Sequence, residues 1–375
     1  MKTRAAVLTS MRLPRPYATS RPLIIEDVTL DPPGPGEVLI AVRAAGLCHS
    51  DLSVIDGNRE RPMPMVLGHE AAGVVEEVGE GVTDLKVGDH VVAVFVPSCG
   101  LCQPCRSGRR ALCEPGAASN AAGTLISGAR RLHSAGGEIL NHHLGVSGFA
   151  QYAVVSRNSL VHVDRSLSFS QAAVFGCAVI TGVGAVVNTA NIEPEATVAV
   201  IGLGGVGLAA LLGAKACAAS TLIAVDLSEA KLSLARDLGA DLVFQASDPG
   251  VVEAIKDATH GGVHYAFEMA GSAKSMALAY GITRRGGTTV TAGLPSPAAT
   301  FSVPQVGIVA EERTIKGSYL GSCNPQIDIP RYVEWYFDGR LSVDRLISGS
   351  TPLGEINDAF DKLADAVMVR QIVIP

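Results

Sequence analysis

Charge is scarce in this chain: Asp, Glu, Lys and Arg make up 18% of its 375 residues, and aromatic residues 5%, with a single tryptophan. No basic run is longer than a pair such as Arg109-Arg110 or Arg130-Arg131, and the formal net charge is −6. A nucleic-acid surface, which needs clustered Lys and Arg, is therefore excluded. A disordered acidic chain is excluded too, because 47% of the residues are hydrophobic. No internal repeat or low-complexity linker interrupts the sequence. The first residues, MKTRAAVLTSMRLPRPY, lack a continuous apolar stretch. No secretory signal is expected, so the chain reads as cytoplasmic with its eight cysteines reduced.

Two long segments, 166–192 and 196–214, lack any charged residue. They raise the question of a membrane. Glycines interrupt both (Gly176, Gly182 and Gly184 in one, five in the other), and neither has flanking Trp/Tyr anchors or a one-sided Lys/Arg cluster. A parallel sheet buried on both faces gives the same composition. The expectation is a soluble α/β core.

Four cysteines form Cys-x2-Cys-x2-Cys-x7-Cys: Cys99, Cys102, Cys105 and Cys113. Thiolates two residues apart converge on one ion from a tight turn, and the fourth closes a tetrahedron with no open position. That is the pattern of a structural zinc. An iron–sulfur cluster also suits four soft thiolates. Cys48 in GLCHSD, His69-Glu70 in VLGHE and Cys177 in FGCAVITG would make a three-ligand zinc with one open position, the catalytic arrangement. Their separations of 21 and 108 residues carry no local geometry, and a cysteine in an apolar run also reads as a buried small hydrophobe. Cys217 and Cys323 read as structural.

An apolar run, 196–201, enters Gly202-Leu-Gly-Gly-Val-Gly207, and a helical pattern follows. A second run, 221–225, ends in Asp226, 24 residues beyond the first glycine. Strand, glycine loop, helix, strand and acid together make a dinucleotide-binding unit. Gly202, Gly204, Gly205 and Gly207 let backbone approach the pyrophosphate. Asp226 would accept from the adenosine ribose and repel a 2′-phosphate, favouring NAD. Runs 241–244, 263–269 and 288–294 read as further strands, with helices at 248–259 and 272–281, so a doubly wound parallel sheet is expected. Before residue 164 the texture changes to short Val-rich runs (38–42, 73–78, 90–94, 151–155) separated by Gly and Pro, which predicts an antiparallel β domain.

GLCHSD, GHEAAGVVEEVG, the four-cysteine lobe, GVSGFAQYAVV, GCAVITG and GLGGVG occur in the order found in zinc-dependent medium-chain alcohol dehydrogenases. The chain resembles that family nearly end to end. The 63 residues between Cys113 and Cys177 go with its longer branch, which holds the liver-type and glutathione-dependent formaldehyde dehydrogenases. The resemblance implies a GroES-like β-rich catalytic domain (1–178 and 320–375, with a zinc lobe at about 97–115) flanking a Rossmann NAD-binding domain (179–319). It implies two zinc ions per chain: a catalytic one on Cys48, His69 and Cys177, and a structural one on the lobe.

Carried over by position, Glu70 stands behind the catalytic zinc and Asp51 holds the far nitrogen of His69. Ser50 takes the hydroxyl that hands on the substrate proton. His49 and Arg370 match contacts to the cofactor phosphates, Lys231 a basic residue beside the ribose, and Thr181 and Val206 positions under the nicotinamide. Phe95, His143, Leu144 and Tyr319 match pocket-lining positions. The implied reaction is NAD-dependent oxidation of medium-chain or aromatic primary alcohols, and the reverse, through a zinc alkoxide and hydride transfer. Alternatives are oxidation of a formaldehyde adduct of glutathione or mycothiol, with Arg130 and Arg131 as nearby cations, and a non-catalytic zinc and NADH-binding protein. The resemblance also implies a homodimer, with a tetramer left open, joined near residues 301–320. One residue departs from the family pattern: the usual relay histidine is Ser53.

Overall fold

The computed structural model describes residues 1–366 and 368–375. The chain divides into two units, one of residues 1–177, 324–330 and 347–375, the other of 178–323 and 331–346. The first boundary lies one residue from the one expected from sequence. The second does not: residues 320–323 and 331–346 belong to the sheet-bearing unit, whereas the sequence reading gave all of 320–375 to the catalytic domain. Tyr332 is fully buried there, with its hydroxyl against Asn188, which explains the difference.

The first unit holds two β structures. Lys2–Leu8, Leu23–Leu30, Leu132–His133, Ile139–His142 and Met65–Val66 close a small barrel. A seven-stranded sheet is built around β1 (Glu37–Gly46), nearly every residue of which is buried. That strand pairs antiparallel with β2 (Glu70–Val78), with Tyr152–Ser156 and with the C-terminal β3 (Gln371–Ile374). Burial on both faces is why it reads AVRAAG rather than alternating with polar residues. Its far end is where segments remote in sequence meet: Gly46 lies opposite Glu70 on one side and Ile372 on the other.

The second unit is a six-stranded, all-parallel sheet. Its spatial order is Leu242–Gln245, Thr221–Asp226, Thr197–Ile201, Val263–Glu268, Thr283–Thr291, Thr314–Gly317. Numbered in chain order this is 3-2-1-4-5-6, the doubly wound dinucleotide-binding topology, with helices at Gly205–Ala216, Glu229–Leu238, Val251–Ala258 and Ala273–Ile282. The fifth strand begins five residues earlier than its apolar run suggests. Its polar start, Thr283-Arg-Arg-Gly-Gly, pairs irregularly, with Gly286 at φ +71°.

The uncharged segment 166–192 contains the one helix among the described residues long and apolar enough to cross a membrane, Phe169–Ala190. Of its most apolar 18 residues, 83% are buried within the protein. Its apolar surface is spent on the core, which accounts for its composition.

Candidate metal centres and dinucleotide site

Strand register builds the first metal centre. Glu70 opens β2 directly opposite Gly46 at the end of β1. A Cβ at Gly46 would stand 2.3 Å from Glu70 Oε2, so the missing side chain is the room the carboxylate occupies. Two residues later Cys48 caps α1 (His49–Ile55), and its N–H donates to Asp51 Oδ2 at 3.3 Å. Cys177 comes from a widened π-helical turn, Phe175–Val179. The neighbouring Gly176 lets that turn press on Ala93 O, which a Cβ would meet at 2.3 Å.

The ligand atoms of Cys48, His69, Glu70 and Cys177 all lie within 4.8 Å of one another, and all four residues are buried. Asp51, fully buried, accepts from Gly68 N at 3.2 Å and lies 3.1 Å from His69 Nδ1. With Nδ1 so held, Nε2 is the nitrogen left for a metal. Phe95 sets its ring edge-on to His69, centroids 5.5 Å apart.

The electrostatics suit a bound cation. The Cys48 thiol is held well below its usual range by the hydrogen bond from Cys177, while that bond and burial push Cys177 up. Burial raises Glu70 to about 8, and its Oε2 has no hydrogen-bond partner. Burial lowers His69, but Asp51 and Cys48 more than offset it, so His69 ends well above its usual value. Two thiols, an imidazole and a carboxyl crowded out of water, one oxygen unpartnered, suit a divalent ion of borderline softness such as zinc.

The second centre is local. Cys99, Cys102, Cys105 and Cys113 bring their sulfurs within 4.8 Å of one another. Backbone N–H groups point at sulfur, from Cys102 to Cys99 at 3.3 Å and from Cys99 to Cys113 at 3.2 Å. The bonds from Cys102 and Leu101 draw the Cys99 thiol down to about 6, while burial drives Cys105 up to about 12. Four sulfurs would satisfy a tetrahedral zinc, as in a structural site, with no position left for substrate.

In the sheet-bearing unit three of the four loop glycines each have their own reason. Gly202 adopts φ +91°, and a Cβ would meet Ala270 N at 2.7 Å. Gly207 lies against Gly202 O, which a Cβ would meet at 1.8 Å. Gly204 faces nothing within 4 Å. The three match the tight turn, the helix–strand packing and the open approach of a dinucleotide loop. Asp226 ties in: Oδ2 accepts from Leu203 N at 2.6 Å and Oδ1 from Ser228 N at 2.9 Å. Gly182 presses on Val206 O, which puts the turn carrying Thr181 against the loop helix, and Thr181 Oγ1 is buried without a hydrogen-bond partner. Lys231 is half-buried on the next helix.

The remaining expected positions have the following surroundings. Arg370, matched to a cofactor phosphate contact, is 4% exposed, and Nη1 donates to Glu70 Oε1 at 2.9 Å and Leu47 O at 2.6 Å. The cause is register: β3 pairs with the end of β1, so the residue before it falls beside Leu47 and Glu70. His143, matched to a pocket wall, is buried against the metal cluster. Its Nδ1 lies 3.1 Å from Asp51 Oδ1, off the line of a hydrogen bond, and its ring is edge-on to His69. Phe95 and Leu144 are buried in the same unit, and Tyr319, in the other, is 38% exposed. His49 is exposed and Ser50 half-buried on α1, and Ser53 Oγ donates to His49 O at 2.9 Å. All eight cysteines are free thiols.

A buried sulfur–imidazole metal centre and a glycine-loop sheet in one chain define a metal-dependent, dinucleotide-linked dehydrogenase. The alcohol dehydrogenase GroES-like domain matches residues 34–165 and the zinc-binding dehydrogenase domain residues 205–338. A class-3 alcohol dehydrogenase of Drosophila melanogaster is 38% identical over 363 residues, 95% of each chain. The benzyl alcohol dehydrogenase of Acinetobacter calcoaceticus superposes with a TM-score of 0.93 at 32% identity, covering 100% of this chain and 99% of that one. An alcohol dehydrogenase zinc-binding domain protein from Burkholderia ambifaria gives a TM-score of 0.94 at 34% identity, covering 100% and 99%. The chain belongs to the zinc-dependent medium-chain alcohol dehydrogenase family and is an oxidoreductase.

Proposed function

We propose that the protein oxidises primary alcohols, medium-chain or aromatic, to aldehydes with NAD, and reduces aldehydes in reverse. The observation that carries this reading is the convergence of Cys48, His69 and Cys177 on one buried point. These three would hold the catalytic zinc, with Glu70 behind, and the four lobe cysteines would hold a structural one. Zinc supplies Lewis acidity, which lowers the pKa of a bound hydroxyl as it lowers that of bound water to about 7. Asp51 fixes the His69 ring. Ser50 takes the substrate proton and, with Ser53 occupied by His49 O, passes it to water or ribose rather than to a histidine relay. Phe95 and Leu144 offer an apolar wall, while Thr181 and Val206 support the nicotinamide. Asp226 has lone pairs left for the ribose hydroxyls, and its charge disfavours a 2′-phosphate.

Free alcohols are favoured over a thiol adduct by the loop arginines. Arg131 Nε donates to the buried Glu37 at 2.8 Å, and Arg130 to Asn141 at 2.9 Å and Ala122 O at 2.7 Å, so both are engaged in bonds within their own unit. A homodimer through Thr314–Gly317 is part of the same proposal, since that edge strand is exposed and paired only with Thr283–Thr291 among the described residues. NADH absorbance with benzyl and alkyl alcohols, against formaldehyde plus glutathione or mycothiol, tests the substrate. Turnover of the adduct alone would overturn it. Cys177→Ala should lose turnover while still binding NADH.

A further inference from the structure

Glu268 ends the fourth strand of the parallel sheet and is 1% exposed, yet no Lys, Arg or His faces it with an ion pair among the described residues. Four donors hold it instead. Oε1 accepts from Ala270 N at 2.9 Å, Gly271 N at 2.6 Å and Ser275 Oγ at 2.7 Å, and Oε2 accepts from Thr291 Oγ1 at 2.8 Å. Ser272 and Ser275 cap a ten-residue helix, Ala273–Ile282, so a helix N-terminus also faces the carboxylate.

The bonds join three strand ends. Glu268 pairs with Ile201, the residue before the glycine loop, and Met269 N donates to Ile201 O at 2.8 Å. Ala270, held by Glu268, is what Gly202 packs against. On the other side Gly293 N donates to the Glu268 carbonyl at 3.2 Å. A Cβ on Gly293 would meet Gly271 N at 2.2 Å and Glu268 Oε2 at 2.8 Å, so the loops after the fourth and fifth strands touch around this one carboxylate. All of this lies on the carboxyl edge of the sheet, where open parallel sheets bind ligands.

We infer that Glu268 is a positioning residue for the dinucleotide, setting both loops against the glycine loop and biasing the site toward the oxidised cofactor. The inference rests on the dinucleotide reading above. Its second half follows from charge. An oxidised nicotinamide ring carries a positive charge that it loses on accepting hydride, and a buried carboxylate on the same edge favours the charged form. A staple that only shaped the loops would treat the two redox forms alike.

Calorimetric titration of the zinc-loaded protein with NAD and NADH separately, on wild type, Glu268→Gln and Thr291→Val, tests this. Glu268→Gln keeps the shape and removes the charge. It should weaken NAD about 10- to 100-fold, the size of one lost charged hydrogen-bond set, and NADH by at least about threefold less. Thr291→Val keeps the charge and should weaken both forms by one common factor, with two zinc ions retained per chain. Equal effects of Glu268→Gln on both forms, or none, would overturn the inference. Should Glu268→Gln fail to fold, unchanged affinities in Thr291→Val would overturn it. Wild type binding neither dinucleotide would instead bring down the proposed function itself.

Discussion

Arg370 Nη1 donates to Glu70 Oε1 across 2.9 Å, joining residues 300 positions apart in a site where both are buried. Burial alone would push an arginine's pKa down, and Glu70, together with the Cys48 and Cys177 sulfurs, more than reverses that. Replacing Arg370 with Met strands Glu70 in the interior. With its carboxyl already raised to about 8, Glu70 can take up a proton in place of the guanidinium, so the expected loss is about 1.5 to 3 kcal/mol of stability, the worth of a charged hydrogen bond. Urea unfolding of the zinc-loaded variant measures it, and a loss below about 1 kcal/mol would show that the pair is dispensable.

Asp51 determines which nitrogen of His69 faces the metal. Asp51→Asn keeps the size but can turn an NH2 toward Nδ1, so zinc affinity should fall about 10- to 100-fold. Competition against a chromogenic chelator reads this directly. The lobe should keep its ion, leaving about one tightly held zinc per chain, because its ligands are local and share no bond with Asp51.

Two of the loop's four glycines should respond oppositely. Gly207→Ala drives a methyl into Gly202 O, which lies 1.8 Å from the Cβ position, and should cost about 1 to 3 kcal/mol in the free protein. Gly204→Ala meets nothing within 4 Å, so the free protein should unfold at the wild-type midpoint. Its NADH affinity should nevertheless fall more than about tenfold, because only the cofactor's pyrophosphate can feel the added methyl. Normal NADH binding by Gly204→Ala would place the phosphates elsewhere.

His142 gives the protein a pH dependence away from the metal centres. Burial lowers its pKa from 6.5 to about 4, opposed by Glu37 and reinforced by Arg130 and Arg131. Its Nε2 accepts from Arg131 N at 3.0 Å, so protonation also breaks a hydrogen bond. The folded state holds the ring neutral while the unfolded chain binds the proton more readily. The contribution is therefore complete above pH 6.5 and is lost as pH falls from there toward 4, on the order of 3 kcal/mol in all. His142→Gln, which keeps an acceptor and cannot titrate there, should flatten the stability difference between pH 7 and pH 5. An unchanged slope would assign the acid sensitivity to other groups.

The dinucleotide loop and the four-cysteine lobe were legible in the sequence because each is made by residues close together in the chain. Gly202 to Gly207 bend one loop, and Cys99 to Cys113 close one turn-rich segment, so spacing alone carries the geometry. Strand alternation likewise revealed the parallel sheet, since both-face burial leaves an unbroken apolar run such as TVAVI. Thr283–Thr291 shows the limit: its polar, irregular start gave no strand signal. Glu268 gave none either. A glutamate at the end of an apolar run looks like a solvated strand end until the loops after two different strands fold over it.

What the sequence determined by itself is therefore whatever depends on local spacing: the sulfur lobe, the glycine loop, the order of strands and helices, and through motif order the family. The tertiary structure decided what depends on register between distant segments. Cys48, His69 and Cys177, 21 and 108 residues apart, become one centre because β2 starts opposite the end of β1 and a π-helical turn is pressed onto Ala93. Arg370 turns to Glu70, and His143 to Asp51, for the same reason. A strand shifted by one residue would send each of these side chains to the opposite face, and nothing in the local pattern records which partner strand fixes it.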